Sequence, residues 1–183
     1  DSDESRGLGD VYKRQALNMT SDGSVSIAWT RVAQGDWGST KASWDWSVSQ
    51  SVPPTDLSLK GGDDRNISVY FVFVPNSVAP SLEGDNIRSL LGRNDVRVVQ
   101  YAWGGNNPIG SVINSPYGAS GTGVTIPLRG AGIGSASEAV NLNTDFDRAF
   151  SEEKGALIGL AVSGDSDDTN TFIQATVRNL NLS

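Results

Sequence analysis

The sequence GLAVSGDSDDTNT at residues 159–171 passes from strand-forming to turn-forming residues over a short distance. Together with the residues just before it, its first part forms an apolar run at residues 156–162, which predicts a buried β-strand. Gly164 ends the run, and Asp165, Asp167 and Asp168 follow within four positions. This transition is typical of a chain built from strands and turns, with charged side chains collected at one rim of the fold.

The remaining chain repeats this organisation. Strands are predicted from alternating or continuously apolar segments at residues 24–30, 42–48, 66–74, 96–103, 124–128, 138–142 and 172–182. Residues 66–74 (NISVYFVFV) are apolar on both faces and predict a central strand. Val25, Ile27 and Trp29 alternate with small or polar residues and predict a half-buried strand, with Trp29 in the core.

Helices are scarce in the predicted pattern. Only residues 85–91 and 145–150 favour short helices, the second with Thr144 as its N-cap. An α/β enzyme would need amphipathic helices between its strands. The sequence therefore predicts an all-β fold, an antiparallel two-sheet β-sandwich of jelly-roll type with one or two short helices.

The 183 residues suit one domain, which we place at residues 16–183. Residues 1–15 (DSDESRGLGDVYKRQ) show neither strand period nor an apolar helical face, and they resemble a translated library adapter. We expect them to be a non-native, disordered tail. On this interpretation the native N-terminus, with any signal peptide, is missing from the sequence.

Composition excludes several function classes. A formal net charge of -7 argues against nucleic acid as a partner, and no apolar run approaches the roughly 20 residues of a transmembrane helix. The chain has no cysteine and no histidine, which removes thiolate and imidazole metal ligands and any Ser-His-Asp triad. A metal bound here must have oxygen ligands, and this condition favours calcium.

The acidic run after residue 164 is a candidate calcium site. Its oxygen ligands would come from Asp165, Asp167, Asp168 and Asn170. The alternative is that these side chains cap turns by accepting backbone N–H bonds. The run lacks the glycine and the closing glutamate of an EF-hand loop.

A second acidic turn, GGDDR at residues 61–65, interrupts another strand-rich region. We expect the two acidic turns to lie close together at one rim of the sandwich. Asp63 or Asp64 would then face Asp165 or Asp167, and such a carboxylate pair is the alternative catalytic site of a glycoside hydrolase or lyase.

Two further groups of residues are candidate ligand contacts. Lys60 and Arg65 flank the second acidic turn. Arg65 either pairs with a buried aspartate or recognises a ligand carboxylate. Trp44 and Trp46 share one strand face, as do Tyr101 and Trp103. Each pair either fills the core or forms a flat aromatic platform for sugar rings.

Several motifs in sequence order resemble a known family. They are KGGDDR at 60–65, YFVF at 70–73, YAWGG at 101–105, SPY at 115–117, DFDRAF at 145–150 and GLAV followed by DSDDT at 159–169. Over roughly residues 20–183 the chain resembles the bacterial domain-of-unknown-function family 3047. The resemblance implies placement in the cell envelope or export, and it implies no activity.

The expected function is a non-catalytic binding module, envelope-associated or secreted and therefore periplasmic or extracellular. Its expected ligand is a glycan, its expected cofactor is calcium, and its oligomeric state is left open. The alternative is a carbohydrate-active enzyme that uses paired aspartates on the same fold. A third option is a structural domain that contacts another protein through the glycine-rich residues 104–123.

Overall fold

A computed structural model describes residues 16–85, 90, 93–117 and 121–183, and in these residues two β-sheets pack face to face. The described strands are β1 (Ala16–Asp22), β2 (Val25–Arg31), β3 (Lys41–Gln50), β4 (Arg65–Val74), β5 (Arg97–Trp103), β6 (Ile113–Asn114), β7 (Gly123–Arg129), β8 (Gly134–Asn141), β9 (Ala156–Asp165) and β10 (Phe172–Leu182). Helix α1 spans Leu142–Phe150, and two 3-10 turns span Gln34–Asp36 and Ala79–Leu82. The predicted two-sheet sandwich is confirmed. Most of the predicted helix at 85–91, and all of segment 1–15, lie outside the described residues.

The smaller sheet has the strand order β1-β10-β3-β8, and the larger has the order β2-β9-β4-β5-β7-β6. Neighbouring strands are antiparallel except β5 and β7, which are parallel. This pair departs from the predicted antiparallel pattern. A parallel neighbour requires a long return connection, and the chain between β5 and β7 supplies one that also carries β6.

Strand β4 is the central strand that the sequence predicts. It lies between β9 and β5, and nearly all of its residues are buried. Its inward side chains, Ile67, Val69, Phe71 and Phe73, belong to the core between the sheets. Part of its outward face is covered by a second apolar cluster around Val72 and Val74 of β4 and Ala156 and Ile158 of β9. The side chains that pack on them include Val78, Ala79, Leu82, Leu90 and Val96. Apolar residues on both faces are therefore explained by burial on both faces.

The aromatic pairs of β3 and β5 form the centre of the main core. The ring centroids of Trp44 and Tyr101 are 5.6 Å apart, and those of Trp46 and Trp103 are also 5.6 Å apart. None of the four side chains is more than 5% exposed. The prediction of an exposed sugar platform is therefore wrong, because both pairs point toward the facing sheet and fill the space between the sheets.

The predicted burial of the first apolar alternation is also wrong. Val25 is 51% exposed and Ile27 is 64% exposed, while Trp29 is only half-buried. In the β2–β9 register, Ala28 lies opposite Val162, a core residue, so the inward face of β2 carries its small residues. Strand β2 is the edge of the larger sheet, and its apolar face points outward.

Helix α1 begins earlier than predicted. Asn141 ends β8 in an extended conformation, and its side chain accepts a hydrogen bond from Thr144 N at 3.0 Å. Asn141 is therefore the N-cap, in place of Thr144, because its amide oxygen satisfies one of the free N–H groups of the first turn.

Candidate functional site

The outer face of the larger sheet has an apolar half and a polar half. The apolar half is covered by the second cluster described above. The side chains of the polar half come from four adjacent strands: Ser163 and Asp165 of β9, Arg65, Ser68 and Tyr70 of β4, Gln100 of β5 and Thr125 of β7. Strand alternation explains why polar side chains lie on this face and apolar side chains on the other. The residues next to them in the strands point inward and form the core, among them Val69, Tyr101, Ile126 and Val162.

The two acidic turns meet at one end of this polar half. Asp64 has no exposed surface, and its carboxylate accepts hydrogen bonds from Asp168 N at 3.3 Å and from Thr169 N at 2.7 Å. The Thr169 hydroxyl donates to the same carboxylate at 2.5 Å. The predicted closeness of the two turns is confirmed. Asp64 therefore caps the acidic turn at residues 167–170 by accepting hydrogen bonds from its backbone N–H groups.

A buried ion cluster lies beside Asp64. The Nη1 atom of Arg65 is 3.0 Å from Asp63 Oδ2 and 3.2 Å from Asp165 Oδ2. Because both distances end on one nitrogen, the two carboxylate oxygens are at most about 6 Å apart. Arg65 is therefore a buried ion-pair residue whose partners are Asp63 and Asp165, and its backbone is packed closely against Gly104. A Cβ atom added to Gly104 would lie 2.8 Å from Arg65 Cα.

The pKa of Asp165 is shifted by burial and by neighbouring charges. Burial raises the pKa of Asp165 to about 7, although the positive charge of Arg65 acts in the opposite direction. The negative charges of Asp167, Asp64 and Asp63 raise this pKa further. Asp165 Oδ1 and Arg65 Nε are buried without a hydrogen-bond partner in the described part of the chain. Asp165 therefore keeps its proton to a higher pH than an ordinary aspartate does.

Two hydrogen-bond chains cross the polar half of the sheet, and the first of them begins at Arg65 of this cluster. Arg65 Nη2 donates to the Tyr70 hydroxyl at 2.9 Å, and that hydroxyl is 2.8 Å from Ser163 Oγ. Gln100 Nε2 donates to Ser68 Oγ at 2.8 Å, and Thr125 Oγ1 donates to Gln100 Oε1 at 3.2 Å. These bonds fix the polar side chains in place before any ligand arrives.

Tyr117 forms a wall over this polar floor. Its hydroxyl donates to Asp63 Oδ1 at 2.9 Å and accepts from Gly61 N at 3.2 Å. Its ring lies 5.5 Å below the ammonium of Lys60, and the side chain is 45% exposed. Tyr117 therefore connects the 60–65 turn to the strand β6 region and presents an aromatic surface at the opening. Lys60 lies at the rim, and its role as a ligand contact stays a prediction.

Floor and wall enclose an open cleft with two lobes, which we call the outer-face cleft. The polar lobe has a volume of about 200 Å³ and is lined by Leu57, Asp63, Arg65, Tyr70, Gln100, Ser115, Pro116, Tyr117 and Thr125. The apolar lobe has a volume of about 310 Å³ and shares Tyr70, Gln100, Ser115 and Tyr117 with the first. Its other lining residues are Arg93, Val96, Val98, Thr122, Gly123 and Val124. Together the lobes fall within the range of roughly 300–1,000 Å³ found for small-molecule sites.

The predicted calcium ligands are divided between two places. Strand β9 continues to Asp165, so this side chain faces Arg65 instead of the turn. Asn170 adopts a left-handed backbone conformation and packs against Gly23. Oxygen atoms of Asp64, Asp167 and Asp168 lie within 4.8 Å of one another and are the described carboxylates closest to a metal-ligand arrangement. Because Asp64 already accepts three hydrogen bonds, calcium binding here stays a prediction.

The sequence reasoning missed three residues of the cleft, Tyr70, Gln100 and Tyr117. Gln100 is an uncharged polar residue inside the apolar segment VRVVQYAW, and Tyr70 lies in a strand that is apolar on both sides of it. A polar side chain in a central strand needs a buried partner, and this requirement was the available signal. Tyr117 lies in the SPY motif, where nothing in the sequence indicates what it contacts.

Comparison with known proteins identifies the family of the chain. A search of the curated proteins finds no match. None of the helices in the described residues has the length and apolar character needed to cross a membrane. A family model described as "Protein of unknown function (DUF3047)" matches residues 7–181, and its match begins inside the segment 1–15 that the sequence analysis set apart. Since this match covers nearly the whole chain, the protein belongs to the DUF3047 family.

Proposed function

We propose that this domain binds a neutral carbohydrate in the outer-face cleft and does not transform it. The observation that carries the proposal is the polar floor of the cleft. Tyr70, Gln100 and Thr125 are held by hydrogen bonds to neighbouring side chains, directly or through one another, beneath an opening large enough for a ligand. A small set of fixed polar groups in a concave site is typical of specific ligand binding.

Chemistry favours a carbohydrate over other polar ligands. The amide of Gln100 and the hydroxyl of Tyr70 can each donate and accept, as the hydroxyl groups of a sugar do. The exposed ring of Tyr117 offers an apolar surface for the C–H face of a pyranose. Asp63 in the cleft lining, together with the formal net charge of -7, disfavours an anionic ligand.

The arrangement of the carboxylates favours binding over catalysis. Asp63 and Asp165 are close enough for a glycosidase pair, and the high pKa of Asp165 suits a general acid. However, both oxygens of Asp63 already accept hydrogen bonds. Asp165 is buried and does not line the cleft. A general acid must reach the glycosidic oxygen, and neither residue is free to do so.

A binding experiment with matched variants tests the proposal. Neutral glycans would first be surveyed on an array, and each hit would be titrated by calorimetry into wild-type protein and into Tyr117→Ala and Gln100→Ala. Phe172→Ala is the control, because Phe172 lies on β10 of the other sheet and has the same 45% exposure as Tyr117. We expect at least a tenfold loss of affinity for the two cleft variants and no change for the control. Equal affinity for Tyr117→Ala and Phe172→Ala, or no binding of any neutral glycan, would refute the proposal. Release of reducing ends from the same glycans would favour the enzyme alternative.

We also propose that the domain acts in the periplasm or outside the cell. Support comes from the envelope or export placement implied by the family resemblance. Fractionation of a bacterium that carries the full-length gene tests this location. Recovery of the protein only with the cytoplasmic fraction would contradict it.

A further inference from the structure

The two lobes of the cleft differ in chemistry, and from this difference we infer that the ligand is an amphipathic glycoside. Its sugar ring lies in the polar lobe, and an apolar substituent on the same sugar lies in the apolar lobe. This inference rests on the proposed carbohydrate function and makes the class of ligand more specific.

The polar lobe is suited to one sugar ring. Its volume of about 200 Å³ is that of roughly seven water molecules in the liquid, enough for a single pyranose. Asp63, Arg65 and Thr125 line this lobe and are absent from the lining of the other. All three are buried and hydrogen-bonded, so the lobe presents fixed polar groups with little freedom to rearrange.

The apolar lobe would be a poor site for a second sugar. Val96 and Val98 line it from the outer face of the sheet, where both pack in the second apolar cluster. Its one charged lining residue, Arg93, is already held by Asp95 through two bonds of 2.8 and 2.6 Å. Sugar hydroxyls placed against Val96 and Val98 would lose water without gaining a partner there, whereas an alkyl or aryl group would gain from leaving water.

The lobes form one site because they share a floor and a wall. Tyr70 and Gln100 lie beneath both, and Ser115 and Tyr117 border both. A ligand that fills the polar lobe therefore has its next atoms directed along the same floor toward the valines. A single molecule with one polar end and one apolar end matches this arrangement better than two independent ligands.

A pair of probes tests the inference on wild-type protein. For the sugar identified by the array, calorimetry would compare the methyl glycoside with the phenyl thioglycoside, which resists hydrolysis. We expect the phenyl compound to bind at least tenfold more tightly, which corresponds to about 1.4 kcal/mol. If both compounds bind with the same affinity, the inference is wrong and the carbohydrate proposal stands. If neither binds, both fail.

Variants locate the gain within the cleft. Val98→Thr keeps the shape of this half-buried side chain while adding a hydroxyl group to the apolar lobe. It should reduce the advantage of the phenyl compound severalfold and leave the affinity for the methyl glycoside unchanged. Val25→Thr is the control, since Val25 is also on the larger sheet but does not line the cleft. An undiminished phenyl advantage in Val98→Thr would place the apolar group elsewhere and overturn the inference.

Discussion

Replacing Asp64 by asparagine tests whether the two acidic turns are joined by hydrogen bonds or forced together against charge repulsion. The carboxylate of Asp64 is fully buried and accepts three bonds from Asp168 and Thr169. Asparagine keeps one acceptor oxygen, which can still serve Thr169 N, but its NH₂ group would face the donor N–H of Asp168. The Thr169 hydroxyl can turn to Thr171 Oγ1, which is 2.7 Å away.

The expected effect follows from these contacts. One partly buried N–H is left without an acceptor and one charge-assisted bond becomes neutral, and each change costs about 1–2 kcal/mol. We expect Asp64→Asn to lower the free energy of unfolding by about 2–3 kcal/mol. Asp168→Asn is the control, because Asp168 is exposed on the turn that Asp64 caps, and desolvation and then nearby carboxylates raise the pKa of Asp168. Removing the charge of Asp168 should leave the free energy of unfolding unchanged or slightly higher.

Urea unfolding followed by tryptophan fluorescence at pH 7 measures both variants, once in EDTA and once in calcium. The reasoning would be refuted if Asp64→Asn were as stable as wild type or more stable, since repulsion would then dominate over capping. A loss of stability seen only in calcium would also refute it. That result would make Asp64 a metal ligand, and its hydrogen bonds would be secondary.

Three other predictions concern the same end of the sheet. The pKa of Asp165, about 7 in the folded state, exceeds its ordinary value of 3.8, so the folded protein binds the extra proton between these values. The free energy of unfolding should therefore fall as pH rises from about 4 to about 7. Urea unfolding of wild type and Asp165→Asn at pH 5 and pH 8 should show a smaller fall in the variant. Equal falls in the two proteins would contradict the assignment of the raised pKa to Asp165. If calcium binds at Asp167 and Asp168, the melting temperature should rise by several degrees between EDTA and millimolar calcium, because a hundredfold excess over the dissociation constant adds about 2.7 kcal/mol of stability. Asp167→Asn should abolish this rise. No shift in wild type would assign these aspartates to turn-capping. Gly104→Ala should destabilise the protein by about 1–3 kcal/mol in thermal unfolding, because the new Cβ atom would lie 2.8 Å from Arg65. Gly110 also has a positive φ, but a Cβ atom added there would have no neighbour within 4 Å, so Gly110→Ala should lose clearly less stability. Equal losses of stability would show that backbone strain outweighs the contact with Arg65.

Alternation in the sequence predicted which side chains share a face, but it could not identify which face is the inner one. Residues 66–74 were predicted correctly because they are apolar on both faces, and both faces of β4 are covered over most of its length. Trp44 and Trp46 share a face as expected. This face is buried because it packs against Tyr101 and Trp103 of the other sheet. For Val25 and Ile27, alternation predicted that the apolar face is buried. The structure shows this face exposed, because β2 is an edge strand whose apolar face points outward.

The candidate site was predictable only where local chemistry determined it. Two runs of aspartates at strand ends justified the expectation that two turns meet, and Asp64 and Thr169 bear this out. The residue at which β9 ends was not predictable. The strand continues three residues beyond the predicted end at residue 162, and Asp165 therefore contacts Arg65 and lies outside the predicted metal site. The roles of Gln100 and Tyr70 could not be predicted, because their hydrogen-bond partners Thr125 and Ser163 lie on other strands that are distant in the sequence.

The strand order also has a consequence for the way the chain is made. Strand β9 lies between β2 and β4, and β10 lies between β1 and β3, so the last two strands complete both sheets. While a ribosome is still synthesising the first 155 residues, β4 lacks its neighbour on one side and β2 has no partner in its sheet. Pairings across such long sequence separations make folding slow, and the unpaired apolar strands are prone to aggregation until it is complete. Until β9 and β10 are present, both sheets therefore have unpaired strand edges, which favour association with other chains.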